Sequence, residues 1–201
     1  MKKIIPVFIL TLFLCASAAV AGDGFPTELA GFKLGTEVVE YSDVCNLDQA
    51  IPVSDAPFLS ESLIESNALP GVRGGSLGYG NCLNKDKLVR IKLKFHNRGQ
   101  GFFNKLHGLY EDKFGEPDRY IGDAFKNVIA WEWIFKNDKG EEVSLVLMWS
   151  RDKEIRPGVS IKMTHVTLKD KEFECYKAMD ENKQKNGQKS TVRNIDQYVP
   201  R

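Results

Sequence analysis

The sequence predicts an α+β fold: a single antiparallel sheet with one main helix packed across a face, plus a C-terminal helix. Three observations lead there. Residues 101–135 read as an amphipathic helix, a stop, and an aromatic strand. Residues 88–95 alternate apolar and basic side chains, the pattern of a strand buried on one face. The remaining candidate strands lie on both sides of the helix in the chain. Their order, strand–strand–helix–strand–strand–strand, suits an antiparallel sheet covered by a helix rather than repeated parallel crossovers.

The N-terminus comes first. Lys2 and Lys3, the apolar run 4–14 and Ala19-Val20-Ala21 have the three-part layout of a secretory signal peptide, 1–21, with cleavage expected after Ala21. Cys15 follows the apolar run, but Leu14 stands where a lipidation site needs a small residue, so a lipoprotein is not expected. The short lysine-led signal points to a bacterial envelope and to a periplasmic or secreted protein. One domain is expected over 22–180, with a polar, disordered tail over 181–201. No later run has the length of a membrane-spanning helix.

Composition narrows the function. The formal charge of the 201-residue chain is +1, and it falls to about −1 once Lys2 and Lys3 leave with the signal. A near-neutral exported chain does not suit nucleic acid as a partner. Three cysteines remain after cleavage: Cys45, Cys82 and Cys175. Export permits a disulfide. The expected pair is Cys45–Cys82, because both flank the same strand-rich half and Cys175 lies in a later, helical stretch. No C-x-x-C is present, and His96, His107 and His165 are too scattered for a metal site. No cofactor is expected.

The elements follow in order. Phe32 and Leu34, between Gly31 and Gly35, begin the domain. Residues 38–44 suit a short strand or a helical turn equally. Two prolines make 46–57 mostly loop. Residues 58–66 lean to strand. In the glycine-rich stretch 71–83, residues 76–83 read as a hairpin strand, with Ser76, Gly78, Gly80 and Cys82 on one nearly bare face. Such a face admits a close neighbour, and the tryptophans further on are the candidates for it. A phosphate loop is not expected, because a turn and a strand follow instead of a helix.

In 88–95, Val89, Ile91, Leu93 and Phe95 face one way and Arg90, Lys92 and Lys94 the other. With Lys85 and Lys87 they form a basic stripe, either a solvated or guarded edge or a seat for an anionic partner. The main helix has its apolar stripe at Phe102, Phe103, Leu106, Leu109, Tyr110 and Phe114. Gly115 and Pro117 end it. In 129–135, period two puts Ile129, Trp131, Trp133 and Phe135 together. These rings are expected as core, with a sugar- or peptide-binding platform as the sharper reading of Trp131 and Trp133. A turn at 137–140, a centrally placed strand at 143–149, a half-exposed strand at 159–166 and a weakly amphipathic helix from Leu168 complete the domain.

The cadence Phe102-Phe103…Leu106…Tyr110…Lys113-Phe114-Gly115-Glu116-Pro117-Asp118…Trp131-x-Trp133, after the strand ending at Phe95, resembles small uncharacterised exported bacterial proteins. In these a helix ending in a Gly-x-Pro turn feeds a three-stranded meander. The architecture is also similar to that of outer-membrane assembly lipoproteins and β-lactamase inhibitory proteins. The resemblance implies a role in interaction and carries over no functional residues.

The sequence shows no nucleophile–base pair and no ligand cluster. The expected function is an exported, non-catalytic interaction or binding module of the bacterial envelope. Its partner would be an unknown protein or an anionic envelope component, with Arg90, Lys92, Lys94, Trp131 and Trp133 as candidate binding residues. The alternative is a secreted or periplasmic hydrolase. For that, Glu132 is the carboxylate of interest, with Asp118, Asp123 and His107 as possible neighbours, although alternation points it outward.

Overall fold

A computed structural model describes residues 24–66, 68–152 and 157–185. The expected signal peptide lies outside them, as do residues 186–201 of the expected tail. Eight strands form one antiparallel sheet: β3 (Ile51–Val53), β4 (Ala56–Ile64), β5 (Val72–Gly80), β6 (Leu88–Phe95), β7 (Arg119–Tyr120), β8 (Val128–Lys136), β9 (Glu142–Ser150) and β10 (Gly158–His165). Their order is β3-β4-β5-β6-β10-β9-β8-β7. Two meanders therefore meet at the β6–β10 pair. The helices are α1 (Gln100–Phe114) and α2 (Val166–Lys185). The α+β class is as expected, but not the single sheet. A separate two-stranded ribbon, β1 (Glu28–Leu29) and β2 (Phe32–Lys33), stands apart from the main one. The undecided stretch after it is a 3-10 turn, Val38–Tyr41. α2 also runs on to Lys185, past the expected domain end.

Period two sorts the sheet into unlike faces. Ile91 and Leu93 of β6, Val159, Ile161 and Met163 of β10, Val143, Leu145 and Leu147 of β9, and Trp133 of β8 share one buried core with Phe103 of α1. Helix α1 and the N-terminal segment cover this face: Phe25, Phe32, Leu34, Val38, Tyr41 and Cys45 join the same cluster. The helix stripe is as expected except at Leu109, which is exposed. His107 turns inward instead, its ring 5.7 Å from both Trp131 and Trp133. Gly115 ends α1 at φ +82°, a conformation that a side chain would strain. The Trp133 indole donates to the Gly115 carbonyl at 2.9 Å, so the aromatic strand also caps the helix.

A bulge alters the expected alternation of β6. Tyr79 pairs with Leu88 but Gly78 pairs with Arg90, so Val89 is the extra residue. It belongs to the second core cluster, with Val53, Ala56 and Leu59, and not to that of Ile91 and Leu93. Leu168 of α2 and Phe58 pack against this second cluster. α2 thus covers one end of the face opposite α1.

The bare glycine face does not receive the tryptophans. A Cβ on Gly80 would lie 2.8 Å from the Glu172 carboxyl carbon. Glu172 of α2 is fully buried. Its carboxylate accepts from the backbone amides of Asn81 at 2.9 Å, Cys82 at 2.7 Å, and Asn84. Three amides of the β5–β6 turn thus hold one side chain of α2. The same proximity corrects the disulfide. Cys82 pairs with Cys175, their Cα atoms 6.1 Å apart, and Cys45 is a free, buried thiol. Closeness along the chain misled, because α2 returns to the β5–β6 turn while Cys45 is held in the α1-side core. Peptide mapping under non-reducing conditions is expected to recover a Cys82–Cys175 peptide, with Cys45 alkylated only on unfolding. The closed loop spans 93 residues, so losing the bridge should cost about 4–5 kcal/mol on the chain-entropy account.

Candidate functional site

The face away from α1 is polar at its centre. Arg90 and Lys92 of β6, Lys162 and Thr164 of β10, Ser144 of β9 and Glu132 of β8 all line a cleft over it. Register explains the gathering. Lys162 stands opposite Lys92, and Thr164 opposite Arg90. Val146 pairs with both Lys162 and Glu132. The cleft has two connected parts of about 440 and 380 Å³ that share Asp55, Arg90 and Lys162. Each lies in the size range of small-molecule sites. α2 walls the first part with Lys169, Asp170 and Phe173.

Arg90 lies at the middle and is only 7% exposed. Its Nη1 donates to Asp55 at 2.6 Å, yet its buried Nε has no acceptor among the described residues. Leaving a buried charged donor unpaired costs on the order of 1–3 kcal/mol. Burial tends to raise Asp55, but the charge and hydrogen bond of Arg90 outweigh this and hold its carboxyl below the usual range. Lys162 makes no hydrogen bond or ion pair among the described residues. Burial, with the charges of Arg90 and Lys92, holds its ammonium below the ordinary lysine range, while Asp55 and Glu132 pull the other way.

Glu132 does not project into solvent as alternation suggested; it is 7% exposed. Its two oxygens accept from Arg119 Nε and from Ser144 Oγ. Asp118, Asp123 and His107 do not join it. Asp118 accepts from the Ile134 amide, Asp123 from the amides of Phe125, Asn127 and Val128, and His107 lies against the tryptophans beneath α1.

The candidate binding residues therefore divide. Arg90 and Lys92 reach the cleft, and Lys94 stands exposed at its outer part. Trp131 and Trp133 do not form a platform. Trp133 is 1% exposed under α1, and Trp131 packs on Tyr120 at 4.9 Å and on His107. Sequence reasoning missed Lys162, Arg119 and Asp55. Lys162 does sit at the outward phase of its strand, which was the available signal. Only the pairing of β10 with β6 puts it beside the basic stripe. Among the described residues no group of histidines, cysteines and carboxylates has a metal-holding arrangement. No family model, curated protein or solved structure matches the chain.

Burial alone would raise the Glu132 carboxyl. The hydrogen bonds from Arg119 and Ser144, with the charges of Arg119 and Lys162, overcome that and lower it below 4.5. A carboxylate lowered on folding stabilises the fold above its unfolded pKa, and the contribution is lost as pH falls through the folded value. Glu132→Gln is accordingly expected to unfold about 1–3 kcal/mol more easily at neutral pH. The gap to the parent should close in denaturant titrations run progressively below pH 4.5.

Proposed function

We propose that the chain is an exported, non-catalytic binding module of the bacterial envelope, and that it takes an anionic ligand on the polar face of its sheet. One observation carries this reading: the buried Arg90 guanidinium, whose Nε–H has no acceptor among the described residues, lines a cleft that it shares with Lys162 and Lys92. An oxyanion held against the guanidinium supplies a further negative charge. It also relieves the repulsion between Lys92 and Lys162, which face each other directly across the β6–β10 pair.

Support for export comes from the signal-like N-terminus and from the Cys82–Cys175 pair, which suits an oxidising compartment. No described helix is long and apolar enough to cross a membrane. The hydrolase reading is weaker. Glu132 is held ionised and already accepts two hydrogen bonds, so it is poorly placed to deliver a proton.

Binding to fractionated bacterial envelopes tests the proposal. The mature protein is expected to bind them, and to release as salt rises from 50 to about 500 mM, since exposed charges are then screened. Lys92→Glu/Lys94→Glu and Lys162→Glu should each weaken binding about tenfold or more, with thermal unfolding little changed. Salt-independent binding that all these variants retain would remove the polar face as the site.

A further inference from the structure

The cleft floor is not cationic throughout. On β6 and β10 it carries Arg90, Lys92, Lys94 and Lys162. In the 380 Å³ part the same face turns apolar on β9 and β8: Val146 and Met148 on one strand, Ala130 and Val128 on the other. Register makes the change abrupt. Lys162 is paired with Val146, and Ser160 with Met148. Met148 is in turn paired with Ala130. The apolar strip thus begins one strand spacing, about 4.8 Å, from Lys162. It ends at Ile121, an apolar rim residue that is 45% exposed. The 380 Å³ part of the cleft spans both halves.

We infer that the ligand of this cleft is a small anionic amphiphile. Its carboxylate or phosphate head seats against the Arg90 guanidinium and Lys162, and its aliphatic part lies over Val146, Met148 and Ala130 toward Ile121. The inference rests on the reading of the polar face as an anion site and adds the nature of the rest of the ligand. An inorganic anion would leave the accessible part of the strip, Met148 and Ile121, uncovered. An acidic peptide needs free cations along its length, and toward β8 and β9 the cleft presents carboxylates, Glu132 and Glu142, while the cations there are already paired, Arg119 with Glu132 and Lys169 with Asp170. From β10 to β8 is two strand spacings, roughly 10 Å, which suits a medium-length acyl chain. Met148, flexible and polarizable, fits such a chain without demanding one shape.

Calorimetric titration of the mature protein with a matched set of probes tests this: octanoate, octyl phosphate, acetate, inorganic phosphate, octylamine and hexaglutamate. Each methylene buried in full contributes about fourfold in affinity. Octanoate and octyl phosphate are therefore expected to bind at least tenfold more tightly than acetate and inorganic phosphate, and octylamine not to bind. Met148→Gln should weaken octanoate about fivefold and leave inorganic phosphate unchanged. Lys162→Gln should weaken both about tenfold. A variant that merely misfolds would lose both probes together and shift its circular dichroism. Vesicles of phosphatidylglycerol separate the two sources of such a head. Sedimentation with them, reversed by octyl phosphate, assigns it to a membrane lipid; octanoate binding without sedimentation assigns it to a free amphiphile. Equal affinities for acetate and octanoate would overturn the inference and leave the anion site standing. Hexaglutamate binding more tightly than octanoate would also overturn it. Octylamine binding as well as octanoate would overturn both.

Discussion

The pairing of β6 with β10 is the constraint on which the molecule depends. It joins two meanders, β3–β6 and β10–β7, that share no other strand pair among the described residues. The paired residues lie far apart in the chain, as in Ser160 with Lys94, so their contact needs a long loop to close. The apolar half of the pair supplies the return. Ile91, Leu93, Ile161 and Met163 are all nearly or fully buried under α1. Full burial of such side chains stabilises by about 1.5–3 kcal/mol each relative to exposure. The polar half comes with it, because a strand cannot bury one phase without presenting the other.

That second phase is costly to hold. It sets Lys92 against Lys162 and buries Arg90 with one donor unpaired. Asp55 and Glu132 offset part of the charge. Glu132 itself is held by Arg119 and Ser144, so its charge stays fixed across most of the pH range. A fold selected for stability alone would not keep this arrangement, since apolar residues at the same positions would remove the unpaired groups. Local cost retained in a cleft is the usual mark of a site. α2 shapes one wall of it. The helix is fixed by Glu172 on three turn amides and by Cys175 on Cys82, both at the β5–β6 turn. The wall therefore has a fixed position relative to Arg90 on the adjoining strand.

How much could be read in advance differs by element. The strand Leu88–Phe95, the helix with its Gly115 stop and the aromatic strand were legible because their patterns are local: period two, period near four, and a glycine before a proline. The bulge at Val89 was not, since it appears only when β5 sets the register. In the sequence Glu172 is one of several carboxylates on a weakly amphipathic helix. Nothing nearby in the sequence indicates that three amides some 90 positions earlier would bind it. The same long return of the chain hid the partner of Cys82. Of the site, the basic residues of β6 were legible as a stripe, but the cleft around them is made by tertiary pairing. Trp131 and Trp133 were conspicuous because large rings are rare, and the structure places them in packing.

The central claim is that the polar face, through Arg90, is where an anion is held. The most direct measurement follows the side-chain Nε–Hε resonance of Arg90 by nuclear magnetic resonance while octyl phosphate is titrated in, with Arg90→Lys identifying the signal. An anion held against the guanidinium is expected to move that resonance and slow its exchange with water, saturably, while the Trp133 indole signal beneath α1 stays in place. An Arg90 signal that does not move at saturating ligand, with shifts instead on the α1 side, would contradict the account.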